Sequence, residues 1–428
     1  MARIARASAR ANCGIHGVGA TIAMHVSVEF EDQRLDLDLP EDRVVGSWQG
    51  PRGLAGADAA EAERRALDEP LDFPPVGQMV VPGDHVVIAW DSSLDHAGGL
   101  LGGLIDRLRD SGVLAEDIVV VATPGPADEQ ARAAVASRGG AWEVHDPADQ
   151  EQLAYLATTK DGRRIYLNRR LTDADAVIPV GRVGHDPILG YRGPWSLLFP
   201  ALADAEALRS YRHHLAEDPA DEPAPRVRWD ESIEVDWLLG SQYQVGVVPG
   251  GDGPAAIVAG LGESVRARAV AELERLWSFR PEYGAECVVV GVGSPGRAAG
   301  IDELVEGLVT ASRLVNHGGK ILALSRAGGE PGPSLRRLTA VDDMRKASGA
   351  LRGHDDDADS VSGRRLARVL SWADVYLLSA LDRGVVEDLS MVPVDHADEA
   401  RRLLSRSGAC LAVSHAELTR ATVVEAKP

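Results

Sequence analysis

Lysine is nearly absent from this chain: it occurs only as Lys160, Lys320, Lys346 and Lys427, and arginine supplies almost all of the positive charge. Any chemistry that needs an amine, such as a Schiff base or a covalent tether, therefore has few candidates. Cysteine is also scarce. Cys13, Cys287 and Cys410 are far apart, odd in number and without Cys-x-x-Cys spacing, which argues against a disulfide framework or a cysteine zinc site and makes a reducing cytoplasm the expected setting. No run approaches the roughly 18 apolar residues that would span a bilayer, so an integral membrane protein is not expected. Basic charge is in deficit: 45 Lys and Arg face 65 Asp and Glu, a formal net charge of -20. That balance argues against nucleic acid or an anionic membrane surface as a partner. An anionic ligand would need a local basic patch.

The 428 residues suit two or three domains at about 150 residues each. Residues 1–23 are arginine-rich, free of acids and without the apolar core of a secretion signal. They read as a disordered leader or an over-extended start, with Met24 as the expected true start. From Met24, "MHVSVEFEDQRLDLDL" alternates apolar and polar residues, the pattern of an antiparallel hairpin with one wet face. "DAAEAERRALDEPLDFPP" reads as a helix stopped by prolines. "HVVIAW", "GGLLGGLIDRLRDSG" and "DIVVVAT" form a strand, helix and strand with parallel pairing, followed by the helix "DEQARAAVASRGG" and the strand "DADAVIPV". The polar, proline-rich "HLAEDPADEPAPRVRWD" reads as a loop, after which "IEVDWLLGSQYQVGVVPGGDGPAAIVAGL" resumes with strands and "SVRARAVAELERLW" is a helix. "ECVVVGVGSPGRAAGIDELVEGLVTASRLVNHGGKILALS" is a second strand, helix and strand, and the tail adds two strands and a helix. The expected fold is α/β: two α/β domains with largely parallel sheets and a cleft between them. The boundary falls near residues 272–284, giving domains 24–275 and 276–428.

Several constellations stand out. Residues 181–202, "GRVGHDPILGYRGPWSLLFPAL", crowd a histidine, glycines, prolines and aromatics just past a strand end, where α/β proteins bind ligands. His185 lies in that loop, and the adjacent pair His213 and His214 follows a helical stretch, so a metal ligand and a general acid/base are both available. Gly291, Gly293 and Gly296 have G-x-G-x-x-G spacing after a strand, and Ser325 and Arg326 end the next one, which suits NADP. Pro295 inside the motif and a helix that begins only near Ile301 depart from that fingerprint. "HDDDAD" lacks the glycine and glutamate of a calcium loop and reads as a solvated acidic loop. Asp302, Glu303 and Glu306 lie at a helix start, where the dipole suits them.

Taken in order, "AWDSSLDHA", "VVVATPGPADEQ", "DADAVIPVGRVGHDPILGYRGPWSLLFPAL", "GVGSPG" and "ADEARRLLSRSGACLAVS" resemble the nickel-pincer lactate racemase family, from about residue 26 to residue 424. The resemblance implies a nickel-containing pyridinium dithio-derivative bound between two α/β domains, where stereoisomers of 2-hydroxy acids interconvert by hydride removal and return with histidines as bases. It implies that His185 is a catalytic acid/base, that His213 or His214 is the metal ligand, and that the loop with Gly190, Gly193 and Trp195 is the cofactor-binding element. The tethering lysine of the family's "GGRKS"-like element is replaced in "RGPWS" by Trp195, so a nickel-pincer cofactor here would be held non-covalently. The first acid/base histidine is missing from Pro124, Gly125 and Pro126. Asp91 remains as a substrate-binding position, but Leu94 replaces the substrate arginine. Glu303 and Glu306 replace a glutamine and a lysine that contact substrate, a charge reversal expected to repel lactate and to suit a polyol, sugar or amine.

The expected function is thus a divergent racemase or epimerase with altered or lost chemistry. A non-catalytic small-molecule-binding module, with Trp195 as a stacking platform, is the alternative, and an NADP-dependent oxidoreductase is the third. The expected partner is a small-molecule ligand in the interdomain cleft, while the NADP reading rests on Gly291, Gly293, Gly296 and Arg326 alone.

Overall fold

Two six-stranded sheets carry the protein in a computed structural model that describes residues 23–125, 129–213, 227–341 and 343–424. The first sheet runs, edge to edge, Pro254–Leu261, Tyr243–Pro249, Ala176–Arg182, Val86–Trp90, Ile118–Ala122 and Ala141–Val144. Its strands pair in parallel except for the antiparallel hairpin of the first two. Every residue of Val86–Trp90 and of Ala176–Arg182 is buried, as strands covered on both faces must be. The helix Gly98–Asp110 covers one face with Leu100, Leu101, Leu104, Ile105 and Leu108, and Leu197, Leu198, Phe199 and Val235 cover the other.

The second sheet is all parallel, in the order Val392–Pro393, Asp374–Leu378, Val315–Leu324, Ala285–Gly291, Cys410–Val413 and Val44–Trp48. Its last strand comes from the N-terminal part of the chain, so the division into 24–275 and 276–428 does not follow the sheets. The expected hairpin forms, Ala23–Phe30 against Gln33–Pro40, with Val26, Val28, Phe30, Leu35, Leu37 and Leu39 turned inward. They pack on Cys287, Val289, Leu322 and Ala412 of the second sheet. Alternation predicts a dry face but not its partner. From residue 23 onward the described chain therefore runs in the second lobe, crosses to the first, and returns after the helix Gly262–Trp277.

One local expectation is overturned. "IEVDWLL" belongs to the helix Val227–Leu239, with Ser232, Val235 and Asp236 buried at the three-to-four spacing of a helix face. Sequence reading also missed the edge strand Ala141–Val144 and the ribbon Leu153–Thr158 with Arg164–Asn168. Residues 214–226, most of the proline-rich loop, and residues 1–22 lie outside the described residues.

The glycine motif has a packing explanation. A Cβ on Gly291 would stand 2.0 Å from the carbonyl oxygen of Glu29, so only glycine lets the hairpin approach this strand. Glu31 is 4% exposed, and its Oε1 accepts from the amides of Ala299 at 2.9 Å and Arg326 at 3.0 Å. The Gly296 amide donates to Asp32 Oδ1 at 2.9 Å. Amides that would meet a pyrophosphate are engaged by the hairpin's own carboxylates, and the helix starts only at Ile301. The dinucleotide reading loses its donors. The acidic loop is likewise structural: Asp359 accepts from the amides of Ser334 and Leu335, and Asp357 from Arg337 Nε. Among the described residues no helix is long and apolar enough to cross a membrane.

Because the hairpin completes the second lobe's core, Leu37→Ala should cost about 2–4 kcal/mol, read as a shift in the urea unfolding midpoint. Asp38→Ala, on the wet face, should stay within about 0.5 kcal/mol. Equal, small effects from both would show that the hairpin is not part of that core.

Candidate functional site

The carboxyl end of the buried strand Ala176–Arg182 feeds a short ribbon, Gly184–Asp186 against Gly190–Arg192, in which His185 pairs with Tyr191. Asp186 Oδ1 shapes the turn by accepting from the amides of Ile188 at 2.8 Å and Leu189 at 2.7 Å and from the Tyr211 hydroxyl at 2.6 Å. Gly190, at φ 85°, closes it. This ribbon is one wall of a small open cleft of about 60 Å³ between the lobes.

The other wall is built by the second lobe. The helix Ile301–Leu314 presents Glu306, Val309, Thr310 and Arg313 to the cleft, spaced three, four and seven residues along one face, and buries Leu304, Val305, Leu308 and Ala311 on its other side. Arg365 reaches in from the helix Ser360–Trp372. The segment after the strand Cys410–Val413 adds Glu417 and Arg420.

His185 has two bare ring nitrogens: neither Nδ1 nor Nε2 has a hydrogen-bond partner. Its nearest carboxylate is Glu274, 3.8 Å from Nδ1, which also accepts from the Tyr191 hydroxyl at 3.2 Å and pairs with Arg420 at 3.4 Å. Burial pushes the His185 pKa down to about 4; Glu274 opposes this, while Arg420, Arg313 and Arg192 add to it. The imidazole is therefore neutral near pH 7 and sits in a positive field that opposes its protonation, leaving one ring nitrogen to accept a hydrogen bond and the other to donate one.

The two glutamates do not leave the cleft acidic. Burial raises the Glu303 carboxyl, but the Arg297 guanidinium, 3.1 Å from Oε2, more than offsets it and holds the pKa below the usual carboxylate value. Glu303 also caps its helix by accepting from the Gly300 amide at 2.9 Å. Glu306 Oε2 pairs with Arg365 at 2.6 Å, and burial raises its pKa. The expected charge repulsion of a carboxylate ligand is thus corrected: each acid brought its own arginine. Glu417 is different. Its Oε2 is buried without a partner, and burial, reinforced by Glu303, pushes its pKa up to about 7.

The remaining sequence candidates lie elsewhere. Asp91 is fully engaged, with Oδ1 accepting from the Ser93 amide and hydroxyl and Oδ2 from the Arg182 amide at 3.1 Å. It ties two strand ends together rather than offering a carboxylate to substrate. Trp195 is 0% exposed, packed edge-on against Trp229 at 5.3 Å in the core of the first lobe. It fills core and does not face the cleft as a stacking platform. A Cβ on Gly193 would meet the Trp195 ring at 2.5 Å, so this glycine serves that packing. His213 Nε2 donates to Asp356 Oδ1 at 2.8 Å across the lobes, and His213 lines a second groove with Arg352 and Arg364. The structure does not bring it to His185. His214 lies outside the described residues.

These placements do not fit a tethered nickel-pincer group. The tether position is a buried indole without an amine, His213 is in another groove, and among the described residues no three His, Cys, Asp or Glu side chains are grouped to hold a metal. Sequence reading missed Arg313, Arg365, Glu417 and Arg420. Arg313 had a signal, two helical turns beyond Glu306.

Residues 30–222 match the lactate racemase N-terminal domain family. The lactate racemase of Thermoanaerobacterium thermosaccharolyticum is 20% identical over 197 residues, which cover 43% of this chain and 46% of that protein, somewhat under half its length. The structure of that organism's lactate racemase apoprotein superposes with a TM-score of 0.76 at 17% identity, covering 94% of this chain and 100% of that one. A Thermotoga maritima protein of solved structure follows with a TM-score of 0.64 at 13% identity, covering 87% of this chain and 99% of that one. The first half of the chain is similar in sequence to the lactate racemase N-terminal domain, and the whole chain is similar in fold to the lactate racemase apoprotein. It has the two-lobed lactate racemase fold, and the match in sequence lies in the half that carries His185.

The depressed His185 pKa has a defined linkage. Its folded value lies below the unfolded 6.5 or so, so its contribution to stability is complete above that pH and is lost as pH falls through about 6.5 toward 4. His185→Gln removes the linkage. Urea titrations at pH 7 and pH 4.5 should show the wild type losing about 2 kcal/mol more than the variant over that interval. Parallel losses would mean that His185 titrates normally.

Proposed function

We propose that this lactate racemase relative is an isomerase of small 2-hydroxy acids with altered chemistry, using its own side chains for proton transfer rather than a lysine-tethered cofactor. The observation that carries this reading is His185: a neutral imidazole with both nitrogens unpartnered, in the field of three arginines, on the wall of the interdomain cleft. Arginines recognise carboxylates through paired N–H donors. A 2-hydroxy acid would set its carboxylate toward Arg313 and Arg420 and its carbinol carbon toward the imidazole. The bound carboxylate would also offset the arginines' field at His185 and so raise the basicity of the imidazole when substrate is present. The match to the racemase domain over residues 30–222 supports the reaction class.

A non-catalytic binding module remains the second reading, favoured by Trp195, which replaces an amine with core packing. One experiment separates the two. Single enantiomers of 2-hydroxy acids are incubated with the protein and resolved by chiral chromatography, and their binding is measured by calorimetry. We expect inversion of at least one acid, and Arg313→Met should weaken its binding about 10–100-fold, the worth of a charged hydrogen bond. Binding without inversion favours the module. Binding of neutral polyols and of no hydroxy acid would contradict both the ligand class and the role of the arginines.

A further inference from the structure

The groove beside His213 is far roomier than the cleft, about 630 Å³ against about 60 Å³, and the two share no lining residue. Sites for small ligands run from roughly 300 to 1,000 Å³, so the groove has the capacity of one. Its lining also reverses the charge balance of the chain. Acids outnumber bases 65 to 45 in the sequence, yet the groove is lined by Arg345, Arg352, Arg364 and Arg368 with Asp355 as the one acid among the described residues. A local excess of this kind attracts an anion to a protein that repels anions elsewhere.

Two segments of the second lobe bring these arginines together. The helix Ser360–Trp372 turns Arg364, Ala367, Arg368 and Ser371 to the groove, at the three-, four- and seven-residue spacing of one helix face, while Arg365 lines the cleft and pairs with Glu306. Residues 344–353 add Arg345, Ser348 and Arg352. Part of the positive charge is answered within the protein: Asp343 pairs with Arg345 at 2.9 Å and Asp355 with Arg364 at 2.5 Å. The rest is not. Arg352 is exposed and has no ion-pair partner among the described residues. The Nε of Arg364 is buried without a hydrogen-bond partner, although its Nη2 donates to the Arg212 carbonyl of the first lobe at 3.0 Å. Buried donors are satisfied in most proteins, and one left bare on a groove wall points to a ligand.

We infer that this groove is a binding site for a small ligand that carries a diphosphate, either inorganic pyrophosphate or the diphosphate of a nucleotide. A carboxylate presents two coplanar oxygens, which a single guanidinium fork satisfies. Two linked phosphates present acceptor oxygens in several directions and carry several negative charges, which suits arginines and serine hydroxyls contributed by two separate segments. The site is independent of the isomerase reading, because the cleft and the groove are built from different residues.

Calorimetry on the full-length protein with inorganic pyrophosphate, ADP, adenosine and citrate, in the absence of divalent cations, tests the inference. Pyrophosphate and ADP should bind, more weakly as salt is raised, and adenosine should not. Tighter binding of ADP identifies a nucleotide as the source of the diphosphate, and equal or weaker binding identifies free pyrophosphate; either supports the site. Arg352→Ala should weaken pyrophosphate binding about 10–100-fold, the worth of a charged hydrogen bond. Ser348→Glu, at an exposed position, should weaken it through like-charge repulsion without disturbing the fold. Arg313→Met, in the cleft, should change it by no more than about twofold. The reverse pattern, loss in Arg313→Met with none in Arg352→Ala or Ser348→Glu, would place the anion in the cleft and overturn the inference. Citrate binding more tightly than both diphosphates, or no binding of either diphosphate, would overturn it as well. All three contrary results leave the isomerase reading standing, and a failure to invert any 2-hydroxy acid leaves the groove standing.

Discussion

The constraint on which the site depends is the neutralisation of charge where two lobes meet away from water. Asp95 of the first lobe pairs with Arg297 of the second at 3.3 Å, Arg297 with Glu303, and Glu303 with Arg182 of the first lobe at 4.0 Å. Arg182 is 6% exposed, and burial lowers its pKa. Buried charges persist only when paired, and removing one member of such a set leaves the others uncompensated. This alternating row ties the two lobes together. His185 and Glu417, left out of the row, keep two ring nitrogens and a carboxyl oxygen without hydrogen-bond partners.

The same principle explains why the acids of the second lobe do not define the ligand. Read singly, Glu303 and Glu306 make the cleft acidic. Seen with Arg297 and Arg365 they are half of two ion pairs, and the field at His185 is positive. A chain with a net charge of -20 thus keeps a local site suited to an anion.

Much of the fold was legible because it rests on short-range pattern. Runs such as Val86–Trp90 and Ala285–Gly291, and the leucine stripe of Gly98–Asp110, reported strands and helices directly. What was not legible depended on partners far along the chain. The hairpin's dry face gave no hint that it packs on strands some 250 residues later. The 181–202 loop holds His185 in the cleft, but the glycines and aromatics that draw attention there are explained partly by packing: a Cβ on Gly181 would stand 2.8 Å from the Pro194 backbone, and one on Gly193 would meet the Trp195 ring. Val227–Leu239 was misread because apolar residues at helix-face spacing resemble a strand over seven positions. Glu417 carried no sequence signal at all. Its significance lies in an unsatisfied oxygen, which only three-dimensional surroundings reveal.

The most direct test of the account is a crystal structure of the protein with a small 2-hydroxy acid bound. The carboxylate should lie against Arg313 and Arg420, with the carbinol carbon facing His185. An acid seated instead in the groove beside His213, Arg352 and Arg364, with the interdomain cleft unchanged, would contradict it.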